Sequence, residues 1–433
     1  MLNDIMQVRI KKLVAHPVLA NIGWLIGDRI LRMGASLVIG VQIARYLGAD
    51  QYGVMNFAIA ICGILGSLAS LGLEGIVVRE IVRDPINHKE ILGSTFGMKF
   101  VAAIVAGVIA FSVIELIRPN DELIALLIAI TSLALIMNQI TETLDFWFQS
   151  HVQSKYVVWA RNFGFWLTAG LKLILLWQKA SVVAFLVASL IESLLIATYL
   201  GWVYGRKIWR WQIRWQRCKA LLKDSLPLLV SSAMIMIYMR IDQIMLAQMI
   251  SDAELGVYSV AVRFAEVWYF VPMALASSTL PGIMKLATDT EVFFQRLQHL
   301  YNSMAALSYA IAISMTLVAP WLIHLLFDAE YARATNMLIV LTWSLIFTSL
   351  GVARSSFLTA MNWQKVHLAT TTAGCIVNIV LNYVLIPIHG GLGAAIASFI
   401  AYAIAAYGSC FLYKPLWGTA KMLTKAMIFP KFW

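Results

Sequence analysis

Long apolar runs broken by short charged connections dominate this chain. Twelve of them are long enough to cross ~30 Å of hydrocarbon at ~1.5 Å per residue, near residues 19–46, 52–80, 91–117, 122–147, 156–177, 181–204, 225–249, 255–282, 299–326, 333–359, 366–387 and 392–413. The pattern predicts an all-α integral membrane protein with twelve transmembrane helices. The first run follows the basic segment MLNDIMQVRIKKLVAHP and exceeds the ~7 to 15 residues of a signal-peptide core, so it reads as a span. Pro272 and Pro320 fall inside runs, where neighbouring helices can re-satisfy the backbone that proline frees. Pro272 is an expected kink.

Composition sharpens this picture. Of 433 residues, 61% are hydrophobic and 13% charged, against roughly 25% charged in soluble domains, which excludes a soluble globular protein. Outside the spans, 20 Lys and Arg fall on the side of both termini and 3 (Arg118, Lys179 and Arg333) on the other. By the positive-inside rule both termini are expected in the cytoplasm. The net charge of +11 is mostly this bias, and because the basic residues bracket spans instead of forming one face, nucleic acid is not an expected partner. Cys62, Cys218, Cys375 and Cys410 place no pair in an external loop, and the seven histidines lack partners at ligand spacing. Neither a disulfide, a metal site nor a cofactor is expected.

The longest connection, 206–224, separates six runs from six and reads as an amphipathic segment in the cytoplasmic interface, with Ile208, Trp211, Trp215, Cys218 and Leu222 on one stripe. On either side lies an internal repeat. ARYLGADQYGVMNFAIAI (44–61) aligns without gaps with AQMISDAELGVYSVAVRF (247–264) at an offset of 203, and each joins the first two spans of its half. Six is even, so the halves share one orientation and should form two six-helix lobes related by a pseudo-two-fold along the membrane normal, with substrate at their interface. The expected units are an amino-terminal lobe (1–205), the connector (206–224), a carboxyl-terminal lobe (225–413) and a cytoplasmic tail (414–433).

Ten basic residues fall within spans: Arg29, Arg32, Arg45, Arg79, Lys99, Arg161, Lys172, Arg240, Arg263 and Arg354. At a helix centre each costs ~2.5 to 3.5 kcal/mol on insertion scales. Arg45, Arg79 and Arg354 lie near span ends, where a long side chain reaches the interface. Deeper, Asp28 with Arg32 and Arg263 with Glu266 are spaced to neutralise one another on a helix face. Arg29 is then left over, and Arg240 lies on a different face from Asp242. An unpaired cation at that depth needs a water-filled cavity or an anionic ligand. Arg161, Thr168 and Lys172 share a stripe on span 5; Asn138, Glu142 and Asp145 share one on span 4; Lys99 sits on span 3 and Glu192 in the middle of span 6. The amino-terminal half is therefore the more cationic wall. Thr371, Asn378 and Asn382 read as helix bridges, and most tryptophans as interfacial belts.

Several segments resemble the oligosaccharide and polysaccharide flippases (lipid-linked oligosaccharide translocases) of the multidrug, oligosaccharidyl-lipid and polysaccharide exporter superfamily. They are ARYLGADQYGVMNFA, SLPLLVSSAMIMIYMRIDQIMLAQM (225–249), ELGVYSVAVRFAEVWYFVP (254–272) and the GGLGAAIAS turn into the last span. The resemblance covers essentially the whole chain. It implies two lobes forming a V around a central cavity. It also implies an oligosaccharide on undecaprenyl diphosphate, moved from the cytoplasmic to the periplasmic leaflet of a bacterial inner membrane by alternating access. An ion gradient, often of protons, drives such proteins, and a glycan polymerase and a chain-length regulator are the implied partners. Arg240-Ile241-Asp242 and Arg263 match the family's patterns in spans 7 and 8, whereas Asp28 and Glu142 rest on depth alone.

The residues agree with that implication. A diphosphate cannot cross hydrocarbon unaided, and the planar fork of arginine suits phosphate. The candidate substrate-binding residues are Arg29, Arg32, Lys99, Arg161, Arg240 and Arg263. Asp28, Glu142, Asp145, Glu192, Asp242 and Glu266 are the candidate ion-coupling carboxylates. A drug/cation antiporter is the nearest rival, but it would need unpaired carboxylates where this chain leans basic; a peptidoglycan-precursor flippase would share the cationic cavity. A membrane-embedded glycan polymerase or ligase would need a sizeable external loop with paired acid/base groups, which the short external connections lack. The chain is not expected to be an enzyme.

Overall fold

The computed structural model describes residues 17–284, 286, 290–361 and 363–430; Arg9, Lys11, Lys12 and the side chain of Asp28 lie outside what it describes. The described chain is nearly all helical: α1 (Pro17–Ala69), α2 (Glu74–Arg83), α3 (His88–Ile117), α4 (Glu122–Ser150), α5 (Lys155–Trp177), α6 (Val182–Tyr204), α7 (Trp215–Met249), α8 (Asp252–Glu266), α9 (Phe270–Met284), α10 (Thr290–Leu326), α11 (Ala334–Trp343), α12 (Leu345–Ala360), α13 (Gln364–Ala406) and α14 (Trp417–Ile428). Among the described residues, nine helices are long and apolar enough to cross a membrane. The segment α5, which carries Arg161 and Lys172, is not one of them.

Two of the nine are bent pairs. Gly48 (φ 71°) interrupts α1 and Gly390 (φ 57°) interrupts α13, each in a conformation that L side chains avoid. Runs expected as separate spans are thus joined through single-residue breaks. The second half of α1 stops at Ala69, short of the expected residue 80, because Leu71 and Gly72 turn the chain with φ of 56° and 61°. The expected kink at Pro272 is a 3-10 turn at Val267–Tyr269, since a proline there has no N–H for the carbonyl of Trp268.

The connector 206–224 is divided between two elements. A 3-10 turn at Gly205–Arg210 leads into α7, which continues through Pro227 to Met249. The expected stripe is divided: Trp211 Nε1 donates to the Tyr204 hydroxyl at 2.9 Å and Cys218 is buried, whereas Trp215 and Leu222 are exposed. Arg217 pairs with Asp84 at 2.8 Å and Arg214 with Glu90 at 3.3 Å, tying the start of α7 to the amino-terminal half. The Asn87 amide, seconded by Arg217, holds the Asp84 carboxyl below its usual range.

Core packing relates the two halves. One cluster combines Ile43, Tyr52 and Phe57 with Val257, Tyr258 and Leu338. Another gathers Leu73, Ile91, Phe146 and Leu200 from the first half, and a third Phe293, Leu350, Phe357 and Leu423 from the second. The halves therefore share a core at the end that bears the turns at Gly48 and Ser251; at the other end Leu221 of α7 joins the cluster of Leu73 and Leu200.

The two repeat segments meet at the shared end. Gly53 lies against the carbonyl of Asp252, and Gly256 against that of Ala49, so closely that a Cβ at either would overlap backbone. Asp252 is the repeat mate of Ala49, and Gly256 of Gly53. The contact is thus reciprocal, as between two copies related by a two-fold axis. Arg118 closes the same end, donating to the two oxygens of Asp252 at 2.7 and 2.9 Å and to the Ala247 carbonyl at 3.1 Å.

Candidate functional site: a polar cavity between the halves

A cavity of about 1330 Å³ lies between α1, α4, α5, α6 and α8. Gln149 in the last turn of α4 and Val152 and Ser154 of the α4–α5 connection line it, so it reaches the end away from the Gly53–Gly256 crossing. Four of the six expected cationic residues face it: Arg29, Arg32, Arg161 and Arg263. So do four of the six expected carboxylates: Glu142, Asp145, Glu192 and Glu266.

Each of these carboxylates has a basic partner. Asp145 on α4 is met by Arg161 across the lining at 3.0 Å. The other three are met by cations that do not themselves line the cavity. Lys99, 1% exposed, reaches Glu142. Lys172 lies 3.7 Å from Glu192, which also accepts from the Thr168 hydroxyl at 3.0 Å. Arg240 lies 3.2 Å from Glu266. The expected pairing of Arg263 with Glu266 is therefore replaced by one between helices, because the i,i+3 partner is already engaged from α7.

What remains is positive. Among the described residues Arg29 has neither a hydrogen bond nor an ion pair, and Arg263 has no carboxylate within 4.0 Å. Arg263 instead donates Nη2 to the carbonyl and hydroxyl of Ser36 at 2.9 and 3.1 Å. Its guanidinium rests on Gly40, where any side chain would displace it. A smaller cavity of about 110 Å³ continues beyond, lined by Tyr52, Thr168 and Phe185. Arg263 borders both spaces, so its guanidinium stands at the boundary between the open vestibule and the closed end.

Lys99, Arg240 and Asp242 are not part of the lining. Asp242, 2% exposed, accepts from the hydroxyls of Tyr258 and Ser398 (the latter at 3.1 Å) and from the Gln243 N–H at 2.8 Å. Among the described residues no Lys, Arg or His lies within ion-pair distance of it. Asn378 donates to Ser398 at 3.4 Å and Asn382 to Asn378 at 3.0 Å, extending this neutral network between the two parts of α13.

Arg354 corrects another expectation. It does not reach the interface but is 2% exposed. Ser36 and Gly40 went unread in the sequence, where only a small pair four residues apart on a helix that also carries Arg29 and Arg32 could have signalled them.

Fold and cavity together define a multi-pass α-helical membrane protein with a charged hollow among its helices. The chain belongs to the polysaccharide biosynthesis protein family, whose profile matches residues 18–287; that of the MatE family matches residues 227–384. It is similar to the probable low-salt glycan biosynthesis flippase Agl15 of Haloferax volcanii, 25% identical over 384 residues that cover 83% of this chain and 76% of that protein. The putative O-antigen transporter of Shigella flexneri is 23% identical over 372 residues, covering 82% and 88%. Among solved structures, lipid II flippase MurJ in an inward closed conformation shares the fold with a TM-score of 0.74 at 16% identity, over 93% of this chain and 90% of that one.

Proposed function

We propose that the protein is a flippase for a polysaccharide precursor, moving an undecaprenyl-diphosphate-linked oligosaccharide from the cytoplasmic to the periplasmic leaflet of a bacterial inner membrane. In this reading twelve spans form two six-helix lobes related by a pseudo-two-fold along the membrane normal, both termini are cytoplasmic, and the chain performs no catalysis. A glycan polymerase and a chain-length regulator would receive the product.

The observation that carries the reading is the surplus in the cavity. Every lining carboxylate has a cation of its own, while among the described residues Arg29 and Arg263 have no carboxylate partner. A diphosphate would supply the missing negative charge, through charge-assisted hydrogen bonds. A drug/cation exporter would be expected to leave the opposite surplus. Access would alternate by parting the Gly53–Gly256 crossing and the Arg118–Asp252 pair while the other end closes.

Ion coupling is assigned to Asp242, because a buried carboxylate with only neutral partners has a vacancy for one positive charge. A proton is the first reading. A monovalent cation is the second, favoured by Asn382 Oδ1, which is buried without a hydrogen-bond partner among the described residues.

The test is flipping of a lipid-linked oligosaccharide in reconstituted vesicles. Loss of one charge-assisted hydrogen bond, ~1.5 to 3 kcal/mol, should weaken headgroup binding roughly 10- to 150-fold in Arg29→Ala and in Arg263→Ala. Wild-type flipping by both would refute the cationic-site reading. Flipping that survives collapse of both proton and sodium gradients would refute coupling.

A further inference from the structure

A second cavity, of about 530 Å³, lies wholly in the carboxyl-terminal half, between α7, α9, α12 and α13, and shares no lining residue with the central one. Its character is different. Ile235, Met239, Tyr269, Met273 and Phe347 give it an apolar wall, and Met273, 54% exposed, brings it to the surface of the protein.

Polar groups gather at one end. Ser355 Oγ lies 3.5 Å from His367 Nδ1, and Arg354 Nη2 donates to Thr370 Oγ1 at 2.9 Å, beside Thr371. Phe347 sits two turns away along α12, about 10 Å from them by helical rise. The cavity is thus amphipathic along its length.

Its charge is not balanced. Arg354 is 2% exposed. Its terminal nitrogens are held by the hydroxyls of Ser409 and Thr370, the sulfur of Cys410 and the Ala405 carbonyl. Among the described residues no carboxylate lies within 4.0 Å of it, and Nε is buried without a partner. Ala405 belongs to the last turn of α13, whose dipole offsets only about half a charge. No lining residue is acidic; the titratable groups around the space are His367, Tyr238, Tyr269 and Tyr402. A cation desolvated to this degree is stable beside an anion.

We propose that this cavity binds an anionic amphiphile, a single lipid-like molecule whose phosphate is met by Arg354 at the polar end and whose chain lies along Phe347, Tyr269 and Met273. The site is independent of the central cavity. A prenyl phosphate and a diacyl phosphatidate present the same chemistry.

The experiment uses the full chain in phosphatidylcholine nanodiscs with radiolabelled dodecyl phosphate as probe and dodecanol as its uncharged counterpart. Saturable binding of dodecyl phosphate, at least tenfold tighter than dodecanol, is expected, and Thr348→Phe, which fills the cavity away from the Arg354 hydrogen bonds, should weaken it at least tenfold. Arg263→Ala should leave it unchanged, which separates this site from the proposed flippase site. Displacement by a prenyl phosphate or by a phosphatidate supports the site and distinguishes its source. Unchanged binding in Thr348→Phe, equal affinity for dodecanol, or displacement by neither lipid would overturn it.

Discussion

Adding one methyl group at Gly53 should force the closed end of the protein apart. A Cβ there would overlap the carbonyl of Asp252, and a Cβ at Gly256 would overlap that of Ala49. Both obstacles are backbone, so no rotamer change relieves them, and the helices must separate. Overpacking of this kind costs ~1 to 3 kcal/mol; at about 2 kcal/mol the ratio of closed to open conformers falls roughly 30-fold. Because one separation relieves both overlaps, Gly53→Ala combined with Gly256→Ala should cost less than the sum of the two. Spin labels at Glu122 and Ala329, one on each half, would read the effect as a new long-distance population in nanodiscs. Distance distributions in both single variants superimposable on the parent, with each variant monodisperse, would show that the crossing does not limit opening.

Two further outcomes follow from named ion pairs. Arg118→Ala removes the bidentate contact to Asp252, whose two side chains are each less than one-fifth exposed, and because it leaves a largely buried carboxylate without its partner the same labels should report opening. Glu142→Gln should destabilise the protein by ~3 to 5 kcal/mol because it strands Lys99 in a dry setting, whereas Lys99→Met leaves Glu142 facing the cavity, 42% exposed, and should cost less. Thermal unfolding of the two variants in one detergent would settle the order, and equal losses would contradict the burial argument.

The helices were legible in the sequence because apolar runs of sufficient length have few other fates, and the repeat was legible because Gly53 and Gly256 sit at one offset. Helix ends were less so. Leu71 and Gly72 turn the chain inside an apolar run, and the reason is tertiary: Gly72 abuts the backbone of Leu228 and Leu229. Depth along a helix picked out Arg29, Arg161 and Arg263 as facing a hollow, but it could not say on which side of a wall a cation lies. Lys99 and Arg240 look equivalent to Arg161 in spacing, yet they stand behind the carboxylates they neutralise. Arg354 was misread because its protection comes from Ser409 and Cys410, more than fifty residues away.

The closed end differs from the vestibule in how its charges are paired. Among the described residues its arginines are already committed, Arg118 to Asp252 and Arg333 to Glu254, each at 2.7 Å, and Arg45 to Asp328 at 4.0 Å. Guanidinium charge at that end is spent within the protein, unlike that of the vestibule. The cationic charge left without a carboxylate partner among the described residues, on Arg29 and Arg263, thus lies on the vestibule side alone.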